Sequence, residues 1–212
     1  MPTESSIDVL FLRHGAPDYP AGVYPDPFSM RLSADGRAEA ALAVEAVDRF
    51  RPDSILSSDF VRAIETAEIA TRSRSDLQIV PDLRERVMFS LVGTQFSEIS
   101  RNFGALADGA TSGNSDDWDL AGEEGYLEAH KRVVNYFAEL SRQAAGQRVL
   151  VVAHGGPHAW MIEAALGVSL RGVRTFGLNT GHFSRFTIRD RRFSVDAVNL
   201  PPAGVEPHRG AR

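Results

Sequence analysis

Two short apolar runs in this chain end abruptly at polar residues. The segment "VLFLRHG" passes from Val9–Leu12 into Arg13 and His14, and "RVLVVAHGG" passes from Val149–Ala153 into His154. Runs of this length, rich in Val and Leu, are typical of strands that are buried on both faces of a parallel sheet. Because cations and imidazoles resist burial without partners, each run must open into a crevice where it ends. The two runs therefore predict the central strands of a sheet with a polar site at their shared edge.

Apolar segments of strand length alternate along the chain with longer segments of helical spacing. The predicted strands are Ile7 to Leu12, Ser54 to Ser57, Leu77 to Val80, Arg148 to Ala153, His182 to Ile188 and Phe193 to Val198. The predicted helices are Ser33 to Phe50, Asp59 to Ala70, Tyr126 to Ala144 and Pro157 to Leu166. The charged turn "RDRR" favours an antiparallel pair at the sheet edge. We therefore predict an α/β three-layer sandwich, with a mostly parallel central sheet, an antiparallel edge strand and helices on both faces.

The chain is long enough for one domain. With 212 residues, 43% of them hydrophobic, it can bury a sizeable core. We predict a single domain over residues 1–200, in which segments 19–30 and 86–124 form loops above the active site. Residues 201–212, "PPAGVEPHRGAR", are predicted to form a disordered tail.

Charge and cysteine content exclude several classes of function. The formal net charge is -5, so no global basic field is present to hold nucleic acid or an acidic membrane surface, and an anionic ligand needs a local group of cations. The absence of cysteine excludes disulfides, thiol nucleophiles and thiolate metal sites. The first residues have the pattern of neither a signal peptide nor a membrane span. We expect a cytoplasmic protein without nucleic-acid or membrane partners, and the choice between monomer and homodimer stays open.

The polar residues after the two central strands are expected to share one crevice. In an open α/β sheet, ligands bind beyond the carboxyl ends of the strands, where His14 and His154 would both lie. A glycine after each histidine lets a ligand approach the backbone. Pro157 suits the first turn of a helix, whose free amides favour an anion. We therefore include Gly155 in a predicted anion site.

Two further segments bring charged residues to the same edge. In "ILSSDFVRAIETAEIA" a short strand leads into a helix, predicted to be capped by Ser58 or Asp59, with Arg62 in its first turn. The segment "VPDLRERV" places Glu85 just after another short strand. Two histidines, two arginines and one carboxyl group at strand ends form a set that can bind and transfer a phosphoryl group.

These motifs resemble a known family in their order and spacing. "LRHG", "SSDFVRAIETA", "LRE" and "VVAHGG" are similar to segments of the histidine phosphatase superfamily, also called phosphoglycerate-mutase-like, from about Ile7 to Phe186. The resemblance implies His14 as the nucleophile and Glu85 as the proton donor. The implied phosphate pocket consists of Arg13, Arg62 and His154.

The resemblance implies hydrolysis of a small-molecule phosphate through a phosphohistidine, without a metal or another cofactor. Arginines can neutralise the phosphoryl oxygens, and with His154 they should lower the pKa of His14 so that it stays a neutral nucleophile. His154 and His158 have a spacing that suits metal ligands only when both lie on one helix. Because Pro157 places the helix start after His154, we expect no metal site and place His158 near the site rim.

Some assignments have structural alternatives. Arg62 could pair with Glu65 or Asp59 on the helix surface, and Glu85 could pair with a neighbouring arginine of "LRERV". The substitutes for Glu85 as proton donor are Glu123, Glu124 and Asp59. His182 is expected to be an edge histidine with its hydrogen bonds satisfied. Core packing is preferred over a substrate-binding role for five aromatic residues of the variable segments, Tyr24, Phe28, Phe89, Phe96 and Trp118.

The chain departs from the family pattern directly after "RHG". Ala16 and Pro17 stand where polar residues are usual, which favours a phosphatase over a mutase, because a mutase must hold its intermediate in a closed polar pocket. Glu39 replaces a usual glutamine, a change expected to affect only a helix surface. A phosphoglycerate-mutase-type phosphotransferase and a non-catalytic module that binds a phospho-ligand or a protein remain as alternatives.

Overall fold

The computed structural model of the protein describes residues 6–103, 120–168 and 177–205. Within these residues, six strands form one sheet in the order β3-β2-β4-β1-β5-β6. The strands are β1 Ile7–Arg13, β2 Ser54–Ser57, β3 Leu77–Ile79, β4 Arg148–Ala153, β5 Phe183–Arg189 and β6 Arg192–Leu200. β1, β4, β2 and β3 are mutually parallel, whereas β5 runs antiparallel to both β1 and β6. The prediction that the two apolar runs form central strands is therefore confirmed, as is the antiparallel pair at the edge.

Helices cover both faces of the sheet. They are α1 Ala34–Leu42, α2 Val44–Phe50, α3 Val61–Ala70, α4 Phe96–Phe103, α5 Tyr126–Gln143 and α6 Gly155–Leu166. Alternate side chains of β1 explain why its sequence is continuously apolar: Val9 and Phe11 pack with α5 and α6, whereas Leu10 and Leu12 pack with α2 and α3. The predicted α/β three-layer sandwich is confirmed. No helix of the described ranges has the length and apolarity to cross a bilayer.

Two predicted helix boundaries differ from the structure. The helix predicted over Ser33 to Phe50 is two helices, α1 and α2, which meet at Ala43. The predicted cap of α3 is wrong, because Phe60 occupies the cap position and makes no side-chain capping bond. Ser58 instead bonds His154 at 2.8 Å, and Asp59 forms an ion pair with Arg84.

The segment after β3 is not simply a loop. A short 3₁₀ turn spans Phe89–Leu91 and is followed by α4. A small separate hydrophobic cluster forms there from Met88, Leu91 and Ile99, with Tyr24, Phe96 and Leu120 packed against it. Tyr24 and Phe96 therefore contribute to packing as expected, whereas Trp118 lies outside the described residues. Core packing is the wrong expectation for Phe28 and Phe89, which are 38% and 51% exposed.

The predicted disordered tail is wrong for residues 201–205. A 3₁₀ turn spans Pro202–Gly204, and Val205 is buried in the same cluster as Phe50. Arg49 holds this segment by donating hydrogen bonds to the carbonyl oxygens of Pro202 (2.8 Å) and Val205 (3.1 Å). Residues 206–212 lie outside the described ranges.

Candidate active site

The two histidines that follow the central strands lie side by side. β1 and β4 pair in parallel with Arg13 opposite Ala153, so His14 and His154 leave the sheet at the same level. The backbone N–H of His14 continues the ladder by donating to the Ala153 carbonyl at 2.9 Å. The ring centroids of the two histidines are 5.0 Å apart, and both side chains are buried. Register between two neighbouring strands therefore brings together residues that are far apart in sequence.

The hydrogen bonds of His14 define which ring nitrogen carries its proton. Nδ1 lies 2.7 Å from the carbonyl oxygen of Gly15. Because a carbonyl oxygen only accepts, Nδ1 is the protonated nitrogen, and Nε2 accepts the N–H of Arg62 Nε at 3.2 Å. Burial first, then the charges of Arg62 and Arg13, hold the pKa of His14 well below its ordinary value of 6.5. The ring is therefore neutral near pH 7, with the Nε2 lone pair directed toward a cation.

Arg62 is a buried cation at the start of α3. Its side chain is 5% exposed, its Nη1 donates to the Pro27 carbonyl at 3.0 Å, and its guanidinium carbon lies 4.9 Å from the centre of the Phe60 ring. Burial lowers the pKa of Arg62 to about 10, which leaves the guanidinium charged at neutral pH. The segment that contains Pro27 therefore contacts the site directly.

The alternative prediction that Arg62 pairs with Glu65 or Asp59 is wrong, because both carboxylates have other partners. Glu65 accepts from Arg31 Nη1 at 2.6 Å, from Arg37 Nη2 at 2.8 Å and from the Leu32 backbone N–H at 2.9 Å. Asp59 accepts from Arg84 Nε through both carboxylate oxygens, at 2.8 and 2.9 Å. Arg62 is thus directed at His14 rather than at the helix surface.

Arg13 and Gly155 lie together at the ends of the two central strands. Arg13 donates to the Leu178 carbonyl through Nη1. A Cβ placed on Gly155 would lie 3.6 Å from the guanidinium carbon of Arg13, so the backbone of Gly155 is in van der Waals reach of this cation. Gly155 is also the first residue of α6, where backbone N–H groups face outward.

Glu85 approaches the same helix terminus. Its Oε2 accepts the backbone N–H of Gly156 at 2.8 Å, and its Oε1 accepts the N–H of Arg86 at 3.1 Å. A Cβ on Gly156 would lie 1.9 Å from Oε1, so only glycine allows the carboxylate this position. Sequence reasoning did not find this role of Gly156, although the second glycine of "HGG" is its signal.

The substitutes considered for Glu85 are engaged elsewhere. Glu123 accepts the backbone N–H of Ser90 at 2.6 Å, and Glu124 pairs with Arg132 at 2.7 Å. Asp59 is held by Arg84. Of the carboxylates considered, Glu85 is the one that lies against the start of α6 beside Gly156.

Two residues whose roles the sequence did not predict hold the "RHG" turn. Thr66 Oγ1 accepts the N–H of Gly15 at 3.1 Å and donates to the carbonyl of Arg62 at 2.7 Å, so it links the segments that carry His14 and Arg62. Glu39 accepts the N–H of Ala16 at 2.8 Å. The expectation that Glu39 affects only a helix surface is therefore wrong. The threonine of "RAIETA" was a visible signal, because its position in the helix places it one turn after Arg62.

His154 is completely buried next to the cations. Its Nε2 lies 2.8 Å from Ser58 Oγ, and its Nδ1 has no hydrogen-bond partner within the described residues. Burial, followed by the charge of Arg62, holds its pKa well below the ordinary value. A hydroxyl can donate to Nε2, which leaves Nδ1 as a buried N–H donor suited to an oxyanion.

The other two histidines singled out by sequence have different environments. His158 is not at the rim: it is 1% exposed, it stacks on Phe11 with ring centroids 4.6 Å apart, and neither ring nitrogen has a partner in the described part of the chain. His182 Nδ1 bonds the Thr180 carbonyl at 3.0 Å, as expected for a satisfied edge histidine. Across residues 6–103, 120–168 and 177–205, no cluster of three or more His, Asp or Glu side chains is arranged to hold a metal ion.

The chain is similar to several named phosphatases. A glucosyl-3-phosphoglycerate phosphatase of Mycolicibacterium vanbaalenii is 33% identical over 171 residues, 76% of this chain and 74% of the relative. A metal-independent phosphoserine phosphatase of Arabidopsis thaliana is 27% identical over 195 residues, 90% of this chain and 80% of the relative. The native structure of a mycobacterial glucosyl-3-phosphoglycerate phosphatase superposes with a TM-score of 0.76 at 25% identity, covering 92% of this chain and 99% of the other.

The family assignment rests on most of the chain. A model of the histidine phosphatase superfamily (branch 1) matches residues 9–201, which includes most of β1, all of β4 and the histidines, arginines and carboxylates described for the site. The chain belongs to the histidine phosphatase superfamily, branch 1.

Proposed function

We propose that this protein is a metal-independent phosphomonoester hydrolase that cleaves a small-molecule phosphate through a phosphohistidine formed on His14. Phosphoric monoester hydrolysis itself follows from the family and its named phosphatase relatives. The observation that carries the proposed mechanism is the state of the His14 ring. Its Nδ1 is committed to the Gly15 carbonyl, and its Nε2 is unprotonated and faces Arg62 at 3.2 Å.

In the first step, Nε2 of His14 attacks phosphorus in line with the departing alcohol oxygen. An N–P bond forms while the P–O bond to the alcohol breaks. The charges of Arg13 and Arg62, with an N–H of His154, neutralise the phosphoryl oxygens, and the N–H of Gly155 adds a donor from the start of α6. Protonated Glu85 gives its proton to the alcohol oxygen, which would otherwise leave poorly as an alkoxide.

In the second step, water releases phosphate from the enzyme. The first proton transfer leaves Glu85 as a carboxylate. This carboxylate takes a proton from a water molecule while the water oxygen attacks phosphorus. The N–P bond breaks and its electron pair returns to Nε2, so His14 is regenerated neutral. Burial and the neighbouring cations favour this neutral state, because they lower the pKa of His14.

A trapping experiment with a matched control tests the nucleophile. We expect His14→Ala to lower kcat by at least about 10³-fold. The wild-type protein should form an acid-labile, base-stable labelled phosphoenzyme when quenched during turnover, because a phosphoramidate bond has that stability. His130→Ala is the control, since His130 lies on α5 and its charged neighbour is Glu163, at 3.6 Å. Full labelling of the His14→Ala protein would contradict the mechanism.

Two further arms test the metal and the reaction class. Activity should be unchanged by EDTA, and added Mg²⁺ should not increase it. Loss of activity on chelation would refute the metal-independent mechanism. Isomerisation of 3-phosphoglycerate should be slower than phosphate release from a panel of phosphomonoesters. Dominant isomerisation would identify a phosphotransferase instead, and absence of turnover on every substrate would favour a binding module.

A further inference from the structure

Two phenylalanines next to the site expose ring surface. Phe28 is 38% exposed and Phe89 is 51% exposed. Their rings are stacked, with centroids 5.9 Å apart and planes at 16°. Phe28 also contacts the buried Phe60 edge-on at 4.9 Å, and the Arg84 guanidinium lies 5.0 Å from its centre. These contacts hold the phenylalanine pair, Phe28 and Phe89, in a fixed position although it faces water.

The phenylalanine pair is continuous with the phosphate site. Phe60, on which Phe28 packs, lies 5.0 Å from the His154 ring and 4.9 Å from the Arg62 guanidinium carbon. Phe28 directly follows Pro27, whose carbonyl accepts a hydrogen bond from Arg62. A row of aromatic rings therefore leads from the phosphate pocket to the surface.

One member of the pair is also close in the chain to the proposed proton donor. In-line attack by His14 places the departing oxygen on the side of phosphorus opposite His14. In the proposed mechanism this oxygen also lies next to Glu85, which gives it a proton. Phe89 follows Glu85 by four residues and opens the 3₁₀ turn after it. A leaving group held beside Glu85 can therefore extend toward the segment that carries Phe89.

Four arginines on segments that flank the site are engaged in ion pairs with carboxylates of the protein. Arg31 and Arg37 pair with Glu65. Arg84 pairs with Asp59, and Arg132 pairs with Glu124. An additional carboxylate on the substrate would have to compete with these partners. The charges therefore favour a leaving group without its own negative charge.

We propose that the phenylalanine pair binds the leaving group and selects phosphate monoesters of neutral alcohols that carry an apolar or aromatic group. This inference rests on the proposed function, since it places the departing alcohol beside Glu85. Stacking on an exposed, fixed aromatic surface buries apolar area at little cost in side-chain entropy. It adds affinity for the leaving group without altering the phosphoryl chemistry.

The test compares substrates whose alcohols have similar acidity, so that leaving-group chemistry does not dominate. We expect kcat/KM for 2-phenylethyl phosphate to exceed that for ethyl phosphate by about tenfold or more, mainly through KM. Phosphoserine and 3-phosphoglycerate, which carry carboxylates, should be poorer substrates than 2-phenylethyl phosphate. Phe89→Ala and Phe28→Ala should each bring the ratio of kcat/KM for 2-phenylethyl phosphate to kcat/KM for ethyl phosphate toward one.

Leu166→Ala serves as the matched control. Leu166 is a 52% exposed apolar residue at the far end of α6, about 16 Å from Gly155 along the helix axis, and its loss should leave the ratio unchanged. Thermal melting of each variant verifies folding, and Phe89→Ala is the safer variant because its ring is half exposed.

The outcomes separate this inference from the proposed function. A ratio near one in the wild-type protein, a preference for the carboxylate-bearing substrates, or a ratio unaffected by both substitutions would overturn the role of the phenylalanine pair while leaving phosphohistidine hydrolysis in place. Absence of phosphate release by the wild-type protein from these four substrates and from the whole phosphomonoester panel would refute the proposed function, and this inference with it.

Discussion

Replacing the buried His158 should make the protein more resistant to acid. This imidazole is 1% exposed, stacks on Phe11 and has no partner for either ring nitrogen among the described residues. Burial first, then the charge of Arg13, lowers its pKa from the ordinary value of 6.5 to about 3. His158→Leu removes the titrating group while keeping a similar volume, so the side chains around Phe11 need little repacking.

The magnitude follows from linkage between protonation and folding. Above pH 6.5 the ring is neutral in both states and has no effect on the pH dependence. Between that pH and about 3, the unfolded chain binds a proton that the folded protein excludes, so stability falls by about 1.4 kcal/mol for each pH unit. At pH 5 the wild-type protein should therefore have lost about 2 kcal/mol relative to pH 8 through this residue alone. The pKa values of His14 and His154 are also lowered, but both residues remain in the variant, so their effect is the same in both proteins.

Urea unfolding at pH 8 and pH 5, followed by tryptophan fluorescence, measures the effect. The difference in unfolding free energy between the two pH values should be about 2 kcal/mol smaller in His158→Leu than in the wild type. At pH 8 the unfolding free energy of His158→Leu should lie within about 1.5 kcal/mol of the wild-type value. The stacking lost with the imidazole is offset by the removal of two unsatisfied polar atoms. Leu166→Ala, at an exposed position on the same helix, should not reproduce the change. Equal pH dependence of wild type and His158→Leu would refute the reasoning.

Three other predictions concern the site. Gly156→Ala should lower kcat by about tenfold or more, because a Cβ there would lie 1.9 Å from Glu85 Oε1 and displace the proton donor; an unchanged kcat in a folded variant would remove Glu85 from its proposed role. Thr66→Val should lower the unfolding free energy by about 1 to 3 kcal/mol and reduce kcat, because it leaves the buried Gly15 N–H without its acceptor, whereas Thr66→Ser should restore both. The acid limb of kcat/KM, corrected for ionisation of the substrate, should lie below pH 6.5, because the pKa of His14 is lowered in the folded protein. An acid limb centred above 6.5 would contradict that assignment.

The fold was predictable because its signals are local. Continuous apolar runs at Val9–Leu12 and Val149–Ala153 identify strands that are buried on both faces. Helical spacing between the strands then predicts the covering layers. The boundaries were less predictable, because they depend on partners distant in sequence. Ser58 and Asp59 have the chemistry of helix caps, but they bond His154 and Arg84 instead.

The members of the site were predictable, but their states were not. Sequence and family resemblance placed His14, Arg13, Arg62 and His154 at one edge, where the register of β1 with β4 brings the two histidines 5.0 Å apart. The lowered pKa of His14 was expected from the neighbouring cations, whereas burial is its largest cause. Burial depends on packing from several distant segments, so no local pattern reports it.

The sequence by itself determined which chemical groups meet at the ends of the central strands, because strand periodicity and parallel pairing fix where each strand ends and which residues come next. Only the tertiary structure decided how those groups are used. It directs Nδ1 of His14 to Gly15 and Nε2 to Arg62, and it admits Glu85 because Gly156 has no side chain. It also buries His158 and leaves Phe28 and Phe89 facing water. These outcomes depend on atomic distances between segments far apart in the chain, which a sequence pattern does not encode.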